Sequence, residues 1–153
     1  MSAEYIKTEV DKIVEDKSFP YPQNIAMAAA WIMGNFKGLN LKVLDTTKRS
    51  SLADFFIMGS ANNMTQAKSM ADEIVVQLKR HNVKVLSKEG LGGSEWILID
   101  LGDIIVHVFL DNTRTTYNLD ELWQDAPQIK IPNEYYFEEP TESDEETGGR
   151  NFF

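Results

Sequence analysis

Four side chains within one short stretch have types and spacing that invite a chemical reading: Trp96, Asp100, Asp103 and His107. They belong to the run Trp96-Ile97-Leu98-Ile99-Asp100-Leu101-Gly102-Asp103-Ile104-Ile105-Val106-His107-Val108-Phe109, in which two apolar runs flank Leu101-Gly102. Gly102 supplies the positive φ that a two-residue hairpin loop needs. A loop at Leu101-Gly102 pairs Asp100 with Asp103, Ile99 with Ile104, Leu98 with Ile105, Ile97 with Val106 and Trp96 with His107. Strand alternation then separates two faces. One carries Ile97, Ile99, Ile104, Val106 and Val108 and belongs under helices. The other carries Trp96, Leu98, Asp100, Asp103, Ile105, His107 and Phe109.

The mixed face admits several chemistries. Two aspartates placed opposite each other repel. Such a pair can hold a divalent cation, although two carboxylates at a turn more often face water. His107 shares a face with both, but several residues along the sheet, beyond hydrogen-bond reach. In a packing reading, Trp96 is a core aromatic and His107 bonds to backbone. In an interaction reading, the face is an open apolar patch with polar marks, and Trp and Tyr are enriched at binding hot spots. The strands alone leave both readings open.

Other chemistries are excluded by composition. The chain has no cysteine, which removes thiolate catalysis, disulfides and Cys-based zinc sites. His81 and His107 are its only histidines, too few for a multi-histidine metal site. Ser50-Ser51 has no identifiable base. Gly90-Leu91-Gly92-Gly93 leads into a strand rather than a helix, so it is not a phosphate-cradling loop.

The elements that must position these residues follow from periodicity. Asn24 to Phe36 reads as a helix with Ile25, Ala28, Ala29, Ile32, Met33 and Phe36 on one stripe, stopped by Gly38. Leu41 to Leu44 and Phe55 to Met58 read as strands, the second ended by Gly59-Ser60. Asn63 is an N-cap with Gln66 completing a capping box, and the following helix buries Ala67, Met70, Ala71, Ile74, Val75 and Leu78. Val83 to Ser87 is a third strand, Glu95 to Asp100 a fourth and Asp103 to Phe109 a fifth. A short helix lies near Asn118 to Trp123. This order gives an α/β fold, a mixed, mostly five-stranded sheet flanked by helices.

The 153 residues suit one domain of about 150. The net charge of −9 is unevenly spread: residues 125–153 carry Lys130 and Arg150 against eight acids, leaving the core nearly neutral. A chain this acidic lacks the basic face that bare nucleic acid requires. No apolar run approaches the ~20 residues of a membrane span, and no secretory or transit signal is present, which reads as a cytoplasmic protein. Three parts result. Residues 1–20 form an N-terminal extension in which Ile6, Val10, Ile13 and Val14 are at helical spacing, broken by Pro20 and Pro22. Residues 21–124 form the domain. Residues 125–153 form an acidic, partly disordered tail, since Glu138 to Glu146 has no apolar residue to offset its ordering entropy. Ile131, Tyr135, Tyr136 and Phe137 are expected to pack on the domain before the disorder begins.

Ser50-Ser51-Leu52-Ala53-Asp54-Phe55-Phe56-Ile57, Glu89-Gly90, the Trp96 to Phe109 run, Arg114, Tyr117 and Leu119-Asp120-Glu121-Leu122-Trp123 together resemble the ribosomal silencing factor (RsfS, Iojap-like) family. The match covers roughly residues 24–124. The resemblance implies a translational repressor. It would bind the large ribosomal subunit through ribosomal protein number fourteen and sterically block joining of the small subunit. It would be a homodimer when free, without cofactor, metal or turnover. It also implies a nucleotidyltransferase-like topology without the catalytic motif. Gly59-Ser60 ends a strand as that motif begins, but no Asp-x-Asp follows to hold two metal ions.

Under this resemblance Trp96 is the leading docking anchor, and truncating a well-packed anchor costs ~2 kcal/mol or more. Asp100, Asp103 and Glu89 offer charge complementarity to a basic ribosomal protein. His107 belongs to the shared string. Leu98, Ile105 and Phe109 join by alternation alone. Tyr117 is expected to contact the partner, and Leu122 to pack the last helix. An assembly role on immature large subunits, through the same surface, is the alternative.

Overall fold

The computed structural model describes residues 2–91 and 95–137. Its first helix, α1 (Ala3–Val14), starts at Ser2, whose side chain accepts from the Tyr5 backbone N–H at 3.0 Å. It buries Ile6, Val10 and Ile13. Helix α2 (Gln23–Asn35) differs from the one-sided stripe expected of it. Every residue from Ile25 to Gly34 is buried, Ala26, Met27, Ala30 and Trp31 included. The reason is that α2 packs against α1, α3 and the sheet at once, and a helix surrounded in this way is apolar all round.

Strands β1 (Leu39–Asp45) and β2 (Phe55–Ala61) precede α3 (Met64–Arg80). Asn63 caps α3 as expected, accepting from the Gln66 N–H at 2.8 Å, while the Gln66 side chain accepts from the Asn62 N–H at 2.9 Å. Three strands follow: β3 (Ser87–Leu91), β4 (Trp96–Asp100) and β5 (Ile104–Leu110). The chain then makes two short helices, α4 (Asp111–Tyr117) and α5 (Leu119–Leu122), and a last strand, β6 (Gln128–Ile129).

The sheet has six strands in the order β3-β4-β5-β2-β1-β6. All neighbours are antiparallel except β2 and β5. Helices α2 and α3 cover one face, with α1 packed on α2, and there Val43, Ile57, Ile99, Ile104, Val106 and Val108 join the main core. The opposite face carries a smaller apolar cluster of Leu44, Ala53, Phe56, Met58, Ile105, Phe109 and Ala126.

Four expectations need correction. The sheet has six strands, not five, because the two residues of β6 pair with Val43 and Leu44 and are too few to show a period. The third strand is Ser87–Leu91, not Val83–Ser87. Val83 instead closes the end of α3, its N–H bonding Leu78 O at 3.0 Å, and a crossing segment with Val83 buried and Val85 half-buried imitates a strand. Helix α4 went unread because Asp-Asn-Thr-Arg-Thr-Thr-Tyr has no apolar stripe. Finally, the hairpin loop is Gly102-Asp103, not Leu101-Gly102. Leu101 N–H bonds Ile104 O at 3.0 Å, and Gly102 takes φ +85° at the first loop position. Trp96 therefore pairs with Phe109, Leu98 with His107 and Asp100 with Ile105. A shift of two residues preserves each side chain's face.

After β6 a 3-10 turn (Asn133–Tyr135) buries Tyr135 against α2. Gly34 is required there, since a Cβ would sit 2.1 Å from the Tyr135 carbonyl oxygen. Ile131 and Tyr136 are half-buried against the core. Phe137 is exposed, though its N–H bonds Gly34 O at 2.9 Å. The expected disorder from Glu138 onward lies outside the described residues, as do Gly92, Gly93 and Ser94.

Candidate functional site

Alternation along β4, β5 and β2 stacks the candidate residues in rows across the open face. One row runs Glu89, Leu98, His107, Met58; the next runs Ser87, Asp100, Ile105, Phe56. Trp96 lies diagonally from His107, and its indole Nε1–H donates to His107 Nδ1 at 3.0 Å. The Trp96 ring stacks on Phe109 with centroids 5.0 Å apart and touches Tyr117 at 4.9 Å. His107 is packed edge-on to Phe56 at 5.4 Å, and Phe56 meets Trp123 at 4.8 Å. The result is a continuous aromatic sheet surface, with Tyr117 reaching it from the last residue of α4.

His107 is only 4% exposed, and burial pushes its pKa down to about 4. It is neutral at physiological pH. A neutral imidazole accepting at Nδ1 carries its proton on Nε2. Among the described residues, Nε2 is the buried side-chain nitrogen or oxygen left without a hydrogen-bond partner. The expected backbone bond is replaced by the indole.

The two aspartates have separate employment. Asp100 accepts from the Gly102 N–H at 2.9 Å and so braces the turn. Asp103 accepts from the Tyr21 hydroxyl at 2.8 Å, and its carbonyl receives the Asp54 N–H at 2.8 Å. They are not cross-strand partners, and no group of three or more His, Asp or Glu able to hold a metal exists among the described residues.

Of the nine residues singled out, the fold brings eight onto or against this surface: Trp96, Leu98, Asp100, Ile105, His107, Phe109, Glu89 and Tyr117. Asp103 stands at the exposed turn. Ile105, His107 and Phe109 are buried, and Trp96, Leu98 and Asp100 are half-buried. Glu89, Asp103 and Tyr117 are exposed, Tyr117 by 43%. Leu122, expected to pack, is 71% exposed instead, because α5 is a single turn held by other residues.

What holds α4 and α5 is an ion pair that the sequence reading gave no role. Buried Arg114 donates from Nε and Nη2 to the two oxygens of Asp120, at 2.8 and 2.9 Å. Its Nη1 bonds Asn40 O at 2.5 Å and Ser60 Oγ at 3.0 Å. Arg114, then Lys42 Nζ at 2.8 Å, holds the Asp120 carboxyl well below the usual carboxylate range. These groups line a polar cleft of about 480 Å³, whose two cations are both engaged by Asp120. No local signal joins residues six apart in unlike helices. Phe56 and Met58 were legible, by alternation along their strand.

Residues 20–151 match the family model described as "Ribosomal silencing factor during starvation". The chain belongs to this family. It is 35% identical over 105 residues to "Ribosomal silencing factor RsfS" of Bacillus subtilis, covering 69% of this chain and 89% of that one. A crystal structure of a protein from Chromobacterium violaceum superimposes with a TM-score of 0.63 at 32% identity, covering 71% of this chain and 90% of that one. A more distant relative is "Mitochondrial assembly of ribosomal large subunit protein 1" of mouse, 27% identical over 84 residues, or 53% of this chain and 37% of that one. All nine candidate residues of this ribosomal silencing factor fall inside the matched region, whereas α1 precedes it. No helix among its described residues is long and apolar enough to cross a membrane.

Proposed function

We propose that this chain represses translation by docking on the large ribosomal subunit through ribosomal protein number fourteen, so that the small subunit cannot join. Membership of the silencing-factor family carries the reading, and the aromatic face supplies its surface. The accessible groups divide the work. Trp96, Leu98 and Tyr117 offer apolar area, while Glu89, Asp100 and Asp103 offer negative charge toward a basic partner. Ile105, His107 and Phe109 support them from beneath. The mechanism is steric, in the cytoplasm, with no cofactor, metal or turnover, and the free protein is a homodimer. Residues 21–124 form the docking domain, preceded by an extension and followed by an acidic tail.

Sucrose-gradient sedimentation of purified subunits tests the reading. Wild-type protein is expected to travel with large subunits and block joining, and Trp96→Ala to do neither while remaining folded. Wild-type protein that leaves joining untouched would overturn it. The name of the mouse relative favours a second reading, assembly of the large subunit through the same surface. Protein found in cells only on precursor particles would select that reading.

A further inference from the structure

Buried polar groups are nearly always hydrogen-bonded, so the unpartnered Nε2 of His107 calls for a reason. A leucine or phenylalanine at this place would fill the row between Leu98 and Met58 and bring no polar atom of its own to satisfy. Histidine supplies what those residues lack, an acceptor at Nδ1 facing the indole of Trp96. The indole N–H can only donate. Without Nδ1 it would be left unpaired against the sheet, or would swing toward water and leave its stack on Phe109 and its tilted contact with Tyr117. The imidazole is itself locked, edge-on to Phe56 and nearly coplanar in tilt with Phe109, at an interplanar angle of 13°.

We infer that His107 is a positioning residue for Trp96: its neutral, Nε2-protonated imidazole fixes the indole in the orientation the partner meets. This rests on the docking reading of Trp96. A proton on Nδ1 would set donor against donor, so only one tautomer does the work. His107 touches no partner; it acts through the ring above it, and the idle Nε2–H is the by-product of aiming Nδ1 at the indole.

The test has a spectroscopic arm and a binding arm. In wild-type protein, long-range ¹H–¹⁵N correlation is expected to show the His107 proton on Nε2, and the Trp96 indole proton to exchange slowly. A proton on Nδ1 overturns the inference. Two variants follow, each checked for cooperative unfolding. His107→Asn keeps an acceptor near the Nδ1 position and is expected to retain slow indole exchange and large-subunit affinity within about threefold. His107→Leu removes the acceptor and is expected to lose both, with affinity down about tenfold, the scale of 1.4 kcal/mol. Wild-type affinity in His107→Leu overturns the inference. So does His107→Asn binding as weakly as His107→Leu while its indole proton stays protected. Should Trp96→Ala bind large subunits like wild type, the docking reading fails. The tautomer and exchange data would then still report whether His107 holds the indole.

Discussion

The two faces of the sheet are made from the same strands, residue by alternate residue, and differ in almost everything else. The face under α2 and α3 is lined by aliphatic side chains from Val43 to Val108, interdigitated with those two helices. The other face is aromatic, carries a histidine, and is flanked by two helices of seven and four residues. Hydrophobic packing explains the first side, where the sheet residues from Val43 to Val108 have no side-chain polar atoms to satisfy. On the second side Trp96, His107 and Tyr117 carry polar atoms among the apolar groups, so their orientation is set by a hydrogen bond and ring contacts as well as by volume. A face built this way gives up some burial and gains defined side-chain directions, which suits recognition better than stability.

The contrast can be broken by substitution. Ile57→Ala, on the covered face, is expected to cost about 2–5 kcal/mol, read from denaturant unfolding, since a fully buried branched side chain leaves a cavity between rigid neighbours. A loss under about 1 kcal/mol would mean that the helical side is loosely packed.

Acid probes the other face. Folding holds His107 neutral with a pKa near 4, against 6.5 in the unfolded chain. Between those values the unfolded chain binds a proton that the folded chain does not. The contribution is therefore whole above about pH 6.5 and falls as pH drops toward 4, by about 3 kcal/mol. Unfolding curves across this window should show the slope in wild type and its loss in His107→Asn. Parallel curves would place the imidazole in water.

Arg114→Ala is expected to cost on the order of 1–3 kcal/mol, less than a fully buried pair, because Lys42 stays with Asp120. The near-ultraviolet circular dichroism of the Trp96 cluster should weaken with it as α4 loosens, and an unchanged spectrum would show that Tyr117 is placed by packing alone. Smallest of all, Leu122→Ser should change stability by no more than about 0.5 kcal/mol. If the docking surface extends to α5, the same substitution weakens large-subunit binding in the sedimentation assay.

Sequence patterning was a good guide where burial alone decides structure. The two long helices, the central strands and the assignment of residues to the two faces of the hairpin all followed from period and caps. It misled where local pattern and tertiary pairing diverge. Val83 and Val85 alternate like a strand, but the Val83 N–H bonds the last turn of α3 and pairing begins only at Ser87. Leu101-Gly102 and Gly102-Asp103 are equally good loops by composition, and the choice rests on backbone contacts from Asp54 and Phe55 to the Asp103 carbonyl, far away in sequence. For the site, Trp96 and His107 were legible as neighbours, but their hydrogen bond was not. The Arg114–Asp120 pair was invisible because its two residues sit in short polar helices that exist only once the sheet is there to hold them.

The parallel pairing of β2 with β5 makes the centre of the sheet depend on residues far apart in the chain. Phe55 must find Ile104 across a chain that supplies α3, β3 and β4, because β5 lies in the middle of the sheet. Such distant pairing is slow to close. A nascent chain therefore leaves one edge of β2 uncovered until Leu110 has left the ribosome, and part of α2 until Tyr135 has followed. A product truncated before that point is not a smaller domain but an open, aggregation-prone chain.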